Sequence, residues 1–367
     1  MSTQGRIGVT EGACIFSTAL VVSGLFGSEA QRMYDEAVPS YIALPIAIIA
    51  SAFIFLLVAH ALKKSRSQSL SELFCYSLGN VAGGAASLVI ATFNVLLVSA
   101  PLMRVIDILD SYLFQSTFAN ISFFVLPAIG FVAWMGFETL GRTAACFAIV
   151  LAMSLVAAIC LSFKGYDTSR LYPIMSNNTG DFFRETGASC VAFIPCFMTA
   201  LNMTRGMHGI KYVKKSALIS TVIAVLACGV TELCISMSFP RDMIANTDMP
   251  LRSMLLNVFT GNHIMRFDTF AIFIWLVGAM VSSAFYIYGA ASFYAGTFKQ
   301  KDSRPAVLGM VIIVMCILYT DHLSVVGATH MKLDTVYRYS FVVLIPLMVV
   351  VAAAALIKVG IKEKKAS

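Results

Sequence analysis

Charge is what this sequence has least of. Asp, Glu, Lys and Arg supply 12% of its 367 residues, about half the roughly 25% of a soluble domain. Apolar residues make up 59% and the mean hydropathy is +0.83. No polar stretch is long enough to be a soluble domain, and none is low in complexity. These deficits exclude a water-soluble globular chain and make lipid the solvent of the fold.

The sequence also lacks the patterns of catalysis and metal binding. There is no HExxH, no GxSxG and no phosphate-binding glycine loop, and its five histidines are scattered. Nine cysteines occur without a CxxC pair, and most lie in apolar runs, where they read as small packing residues. No enzyme, cofactor or metal is expected. A nucleic-acid partner would require a clustered basic face on a soluble module, and none is present.

What remains is a series of apolar runs about 20 residues long, which fit helices rather than the roughly 10-residue strands of a barrel. Backbone groups in hydrocarbon must pair within the segment, so the expectation is an all-α integral membrane protein. Ten spans are read at about 8–28, 40–62, 80–103, 118–138, 143–163, 185–203, 215–238, 268–297, 305–320 and 335–358. The whole chain, 1–367, reads as one transmembrane domain. Acidic Glu11 and the lack of a basic leader argue that the first span is retained rather than removed as a signal. Most of the 26 Lys and Arg fall on the side that holds both termini, including KKSR at 63–66 and the tail KVGIKEKK, while most of the 19 acids fall opposite. The positive-inside rule then puts both termini in the cytoplasm.

Two spans carry signs of interruption. Span one reads VVSGLFGSEA at 21–30, with Gly24 and Gly27 bracketing two apolar residues. Span six reads SCVAFIPCFMTA at 189–200, with Pro195 at its middle. Proline removes a backbone donor and clashes with the carbonyl four residues back. A packing kink explains one such site, but paired interruptions at corresponding positions of two halves point to a transporter-type binding site. The expected fold is therefore a five-plus-five inverted repeat with helices 1 and 6 discontinuous, repeat one at about 6–163 and repeat two at about 182–358.

Such breaks recognise charge. The amide groups where a helix restarts attract an anion, and the carbonyls where it stops attract a cation. Gly27 and Ser28 are expected to hold a carboxylate, and the carbonyls near Val22 and Ser23 an ammonium group or a cation. Phe193, Ile194, Pro195 and Cys196 form the second break, with Phe193, Ile194 and Phe197 selecting the side chain. An α-amino acid fits both charges.

Several stretches resemble the spore germination permease family, the B-type subunits of nutrient germinant receptors within the amino acid–polyamine–organocation superfamily. They are MRFDTFAIFIWLVG at 265–278, with Arg266, Asp268 and Trp275, GRTAACFAIVL at 141–151, LYPIMSNNTGDFFRETGAS at 171–189 and SFPRDMIANTDMP at 238–250. Asp268 stands where the family usually has Glu, and no Leu-Pro follows the glycines of span one. The resemblance implies a small nutrient ligand, often an amino acid, and a place in a bacterial cell or spore inner membrane. It also implies two partners besides the lipid bilayer, a larger A-type membrane subunit and a C-type lipoprotein. A proton- or sodium-coupled transporter of amino acids or organic cations is the alternative.

On that scaffold Ser282 and Tyr286 share a helical face and read either as ligand contacts or as helix–helix glue. Asn94 and Val98 share a face of span three in the same way. Glu232, an ionisable group inside span seven, is a candidate for proton coupling or a structural pair. Glu138 and Arg142 read as a local charge pair or anchor, and Asp268, with Arg266, either as a carboxylate favoured at a helix start or as part of an interface with a partner subunit.

Overall fold

The computed structural model describes residues 7–27, 33, 38–109, 118–172, 179–240, 243–244, 247, 250–258, 267–300, 302–323 and 328–366. Twelve helices run through them. They are α1 Val9–Phe26, α2 Ser40–Ser65, α3 Leu70–Leu78, α4 Asn80–Ile108, α5 Phe118–Met135, α6 Phe137–Leu161, α7 Thr179–Asn202, α8 Ile210–Ser238, α9 Pro250–Val258, α10 Phe267–Thr297, α11 Arg304–Leu323 and α12 Ala328–Ala366. Eight are long and apolar enough to cross a membrane, and two shorter apolar helices, Phe123–Met135 and Arg304–Tyr319, complete ten. The short α3 and α9 are not spans and were not marked in the sequence reading.

The span boundaries move where the connections are tight. Spans four and five meet across Gly136 alone, whose φ of +104° suits glycine, so α6 begins at Phe137, earlier than the sequence suggested. At the end opposite α1's start, two short 3-10 turns, Phe163–Gly165 and Thr168–Leu171, lead from α6 toward α7. Arg170 ties them to the end of α8 by donating to the carbonyls of Met237 and Ser238.

Position in the bundle follows burial. The apolar window of Thr179–Gly206 is 94% buried and that of α1 78%, against 28% for α6 and 33% for Tyr339–Ile361. Helices α1 and α7 are therefore the core, and α6 and α12 face lipid with exposed residues such as Ile149, Met153, Val342 and Val350. The amphipathic logic of a soluble protein is inverted here. Apolar residues on both faces leave small and polar residues to mark the interior.

The beginning of the chain is stitched to the end of α7. Ile7 forms an isolated parallel bridge with Met207, its amide donating to the Gly206 carbonyl at 3.1 Å. Gly141 of α6 lets that segment approach, since a Cβ there would lie 3.0 Å from Ile7 Cγ2 and 3.3 Å from Glu11 Cβ. This is the end of the bundle where KKSR lies, called the basic end below.

The interruption expected at Pro195 is corrected. Helix α7 is a continuous α-helix from Thr179 to Asn202 with Pro195 inside it, tightening to a 3-10 turn only at Met203–Gly206. Pro45, Pro101, Pro127 and Pro346 likewise sit inside continuous helices. One missing donor does not open a helix whose neighbours hold it on all sides. Helix α1, by contrast, does stop at Phe26, with Gly27 extended at φ −74°, ψ 175°.

Candidate functional site

The end of α1 is the place where backbone and side-chain polarity meet inside the core. Gly27 donates its amide to the Ser23 carbonyl at 3.2 Å, capping the helix. That corrects the sequence expectation in two respects. The Gly27 N–H closes α1 instead of opening an outer half, and Ser23 offers its hydroxyl, its carbonyl being already bonded. The first carbonyls beyond that bond are those of Gly24, Leu25 and Phe26. Ser28 lies outside the described residues, as does Arg266.

The Ser23 hydroxyl, 2% exposed, lies 2.9 Å from the Tyr286 hydroxyl, whose residue is fully buried. Tyr286 also sits against Cys196 of α7. Helix α10 supplies one face here: Trp275, Ala279, Ser282, Tyr286, Gly289 and Phe293 recur at helical spacing, and all six are buried. Tyr286 therefore meets the last turn of α1, and Ser282, one turn before it on the same face, is buried. Gly24 lets α1 approach α7 and α8, because a Cβ there would meet Cys228 Sγ at 2.8 Å and Phe193 ring atoms at 3.6 Å. Phe193, Ile194, Pro195 and Phe197 line α7 as buried core residues, Phe197 packing its ring 5.4 Å from that of Phe55. Ile194 and Pro195 thus enter the core as side chains of a helix, without a gap to expose their backbone.

Trp275 lies against the end of α1. It packs its ring 5.6 Å from Phe26, the last residue of α1, and is fully buried. Its indole N–H has no hydrogen-bond partner among the described residues, and a buried orphan donor costs about 1–3 kcal/mol. A lone tryptophan in an apolar stretch gave no spacing signal; the structure alone places it at the α1 end.

Polar pairs continue from there toward the basic end. Asn94 of α4 donates to Thr199 Oγ1 at 2.8 Å, and the Thr199 hydroxyl donates to Asn94 Oδ1 at 3.1 Å. Gly289 makes room for them, since a Cβ there would fall 2.5 Å from Thr199 Cγ2. Val98, one turn from Asn94, is buried and apolar. Three residues beyond Thr199, Asn202 accepts from the Ser71 amide and hydroxyl, both at 3.2 Å, and donates to Ser292 at 2.9 Å. A cavity of about 170 Å³ opens there, lined in part by Ser69, Ser71, Asn202, Tyr288 and Ser292.

Glu232 of α8, 2% exposed, accepts from the Ser40 hydroxyl at 2.8 Å. Ser40 starts α2, so the carboxylate ties two spans together. Glu138 and Arg142 form the expected pair, as neighbours one turn apart on α6. Asp268 lies in the first turn of α10. Among the described residues no group of three His, Cys, Asp or Glu is placed to hold a metal ion.

A core of two buried helices, one of them stopping at Phe26 beside a paired set of hydroxyls and a buried indole, is that of an integral membrane protein of transporter fold. Solved structures agree on that fold. A Na⁺-coupled sialic acid symporter in a substrate-bound outward-open state aligns with TM-score 0.71 and 12% identity over 96% of this chain and 79% of its own. A nucleobase–cation symport transporter, closed with bromovinylhydantoin bound, aligns at 0.64 and 13% over 97% and 92%. The Eremococcus coleocola manganese transporter aligns at 0.56 and 11% over 96% and 86%. No curated protein matches the sequence at a significant level. The family model described as spore germination protein, Spore_permease, matches residues 13–324, and the chain belongs to that family. Eight long and two shorter apolar helices are compatible with the ten-helix, five-plus-five inverted repeat of such transporters.

Proposed function

We propose that this chain is the nutrient-binding, transporter-fold subunit of a spore germinant receptor, and that its ligand is a small zwitterion, an amino acid, taken at the end of α1. The observation that carries this reading is the cluster at that end: the Ser23–Tyr286 hydroxyl pair, the stop at Gly27 and the unpartnered Trp275 indole. A carboxylate accepts from the hydroxyls and the indole. An ammonium group donates to the helix-end carbonyls, where the dipole favours it. Gly24, Gly27, Ser28, Ser282, Phe193, Ile194, Pro195 and Phe197 bound the space on this reading, and Asn94 with Val98 lies on the path from it. Both termini lie in the cytoplasm, the membrane is that of the cell or the spore interior, and the two repeats span about 6–163 and 182–358.

The purified protein is expected to gain thermal stability with one or more of the twenty amino acids, and to lose that gain in Tyr286→Phe. It is also expected to co-purify with a larger A-type membrane subunit and a C-type lipoprotein. Indifference to the whole panel in wild-type protein rejects the zwitterion, and a chain that always runs alone rejects the receptor.

The polar pairs from Tyr286 through Thr199 to Asn202, together with buried Glu232, favour a second reading as a proton- or sodium-coupled transporter. Reconstituted vesicles separate the two, because only a transporter accumulates labelled amino acid against its gradient.

A further inference from the structure

The basic end carries a second concave site, remote from the α1 stop. A cleft of about 590 Å³ is bounded by the end of α2, Leu62, Lys63 and Arg66, and by the segment Thr204–Ile210 that joins α7 to α8. Three cationic or titratable side chains besides Arg205 converge on it: Lys63, Arg66 and His208. Arg205 is already neutralised by Glu72, which also accepts from the Gln68 amide at 2.9 Å. Lys63 and Arg66 form no ion pair among the described residues, and Lys214 of α8 stands close enough to Lys63 to repel it.

The backbone adds to this field. Gly209 and Ile210, the cap and first residue of α8, line the same cleft. The cap has φ +104° and contributes no side-chain hydrogen bond. The amides of Tyr212 and Val213 both turn back to the Gly209 carbonyl, so Ile210 is the α8 amino-end residue that presents its backbone to the cleft holding these cations. Like charges gathered at the rim of a concavity repel one another, and an anion entering it relieves that repulsion.

Depth selects the kind of anion. Buried Leu62 and the apolar body of α2 lie just below Lys63, so the cleft sits where the spans leave hydrocarbon. Tyr212, partly exposed and ring-to-ring with His208 at 5.4 Å, stands at the same level, where interfacial aromatics gather. We propose that this cleft binds a phosphate group, that of an anionic phospholipid, with Lys63, Arg66, His208 and the amino end of α8 as its donors. The site is independent of the zwitterion reading. It makes the α7–α8 junction, to which the start of α1 is stitched through Ile7 and Gly206, responsive to the charge of the surrounding leaflet.

The test uses the full-length protein in detergent and native mass spectrometry, with phosphatidylglycerol, phosphatidylcholine or inorganic phosphate added in separate arms. Phosphatidylglycerol is expected to stay bound preferentially, and Lys63→Gln with Arg66→Gln to cut that retention roughly tenfold or more. The charge-keeping pair Lys63→Arg with Arg66→Lys is expected to retain most of it, as is Lys164→Gln at the opposite end. If the double Gln variant fails to fold, His208→Gln alone is expected to weaken retention measurably. Competition by inorganic phosphate at millimolar concentration supports the phosphate site but assigns it a soluble occupant. Equal retention of phosphatidylcholine, or retention unchanged in every cleft variant, overturns the proposal.

Discussion

The hydroxyl of Ser23 and the hydroxyl of Tyr286 meet 2.9 Å apart, joining the last turn of α1 to the middle of α10 inside the bundle. Both side chains are buried, Ser23 at 2% exposure and Tyr286 at 0%. Tyr286→Phe strands Ser23, at a cost of about 1–3 kcal/mol. The expected result is a lower melting temperature in detergent and, on the proposed function, loss of the stabilisation given by the ligand. A variant that melts and binds like the parent would show that the pair contributes neither to packing nor to recognition.

Asn94 and Thr199 hold α4 to α7 through two reciprocal hydrogen bonds. A double-mutant cycle with Asn94→Ala and Thr199→Ala is expected to give a coupling of about 0.6–2 kcal/mol, the range of interhelical bonds in membranes. Gly289→Val should cost more than either single change, because its first added carbon already lies 2.5 Å from Thr199 Cγ2. Additive losses across the cycle would mean the two side chains act separately.

Gly24 exists to let α1 approach α8. Gly24→Ala places a carbon 2.8 Å from Cys228 Sγ, inside contact distance, and α1 is packed by neighbours on most of its surface. Destabilisation is expected, with recovery when Cys228→Ala removes the sulfur. Failure of the second substitution to restore the melting temperature would place the strain elsewhere, for instance at Phe193.

Glu232→Gln preserves an acceptor for Ser40 while removing the titration. If Glu232 carries a coupling proton, uptake or germination response in this variant loses its pH dependence. If the carboxylate only joins α2 to α8, the pH profile stays intact while Ser40→Ala lowers stability by about 1 kcal/mol. Measuring both variants across pH 5 to 8 decides between the roles.

Outside the spans, Asp167 caps the Thr168–Leu171 turn by accepting from the Ser169 amide at 2.9 Å. Hydrogen bonds from Ser169 hold its carboxyl below the ordinary range, with Arg170 adding to them. A lowered folded value means the contribution is present above the ordinary carboxylate value of about 3.9 and is lost as pH falls through the folded one. Faster amide exchange within residues 168–171 is expected in Asp167→Ala at neutral pH. In the parent, protection of the turn should weaken only in strong acid.

How much of the site was legible depended on the kind of signal. Ser282 and Tyr286 declared themselves by a four-residue spacing, Asn94 and Glu232 by being polar where the surroundings are not. Each found a buried position among other helices. Pro195 misled, because its covalent chemistry guarantees a missing hydrogen bond but says nothing about whether neighbours keep the helix intact. Trp275 was visible only as part of a resemblance; no spacing tells which face of a uniformly apolar helix meets Phe26.

Composition and run length alone determined that this chain crosses a membrane as about ten helices, since unpaired backbone groups in hydrocarbon leave no other choice. The glycines at 24 and 27 beside a polar run marked an interruption of span one, but not that the Gly27 amide would close α1. Tertiary structure decided which helices are central, that α7 continues through Pro195, and that Ser23, Trp275 and Tyr286 share one place. Those outcomes depend on contacts between residues far apart in sequence, and lipid-facing and protein-facing sides of such helices are equally apolar, so periodicity carries little record of them.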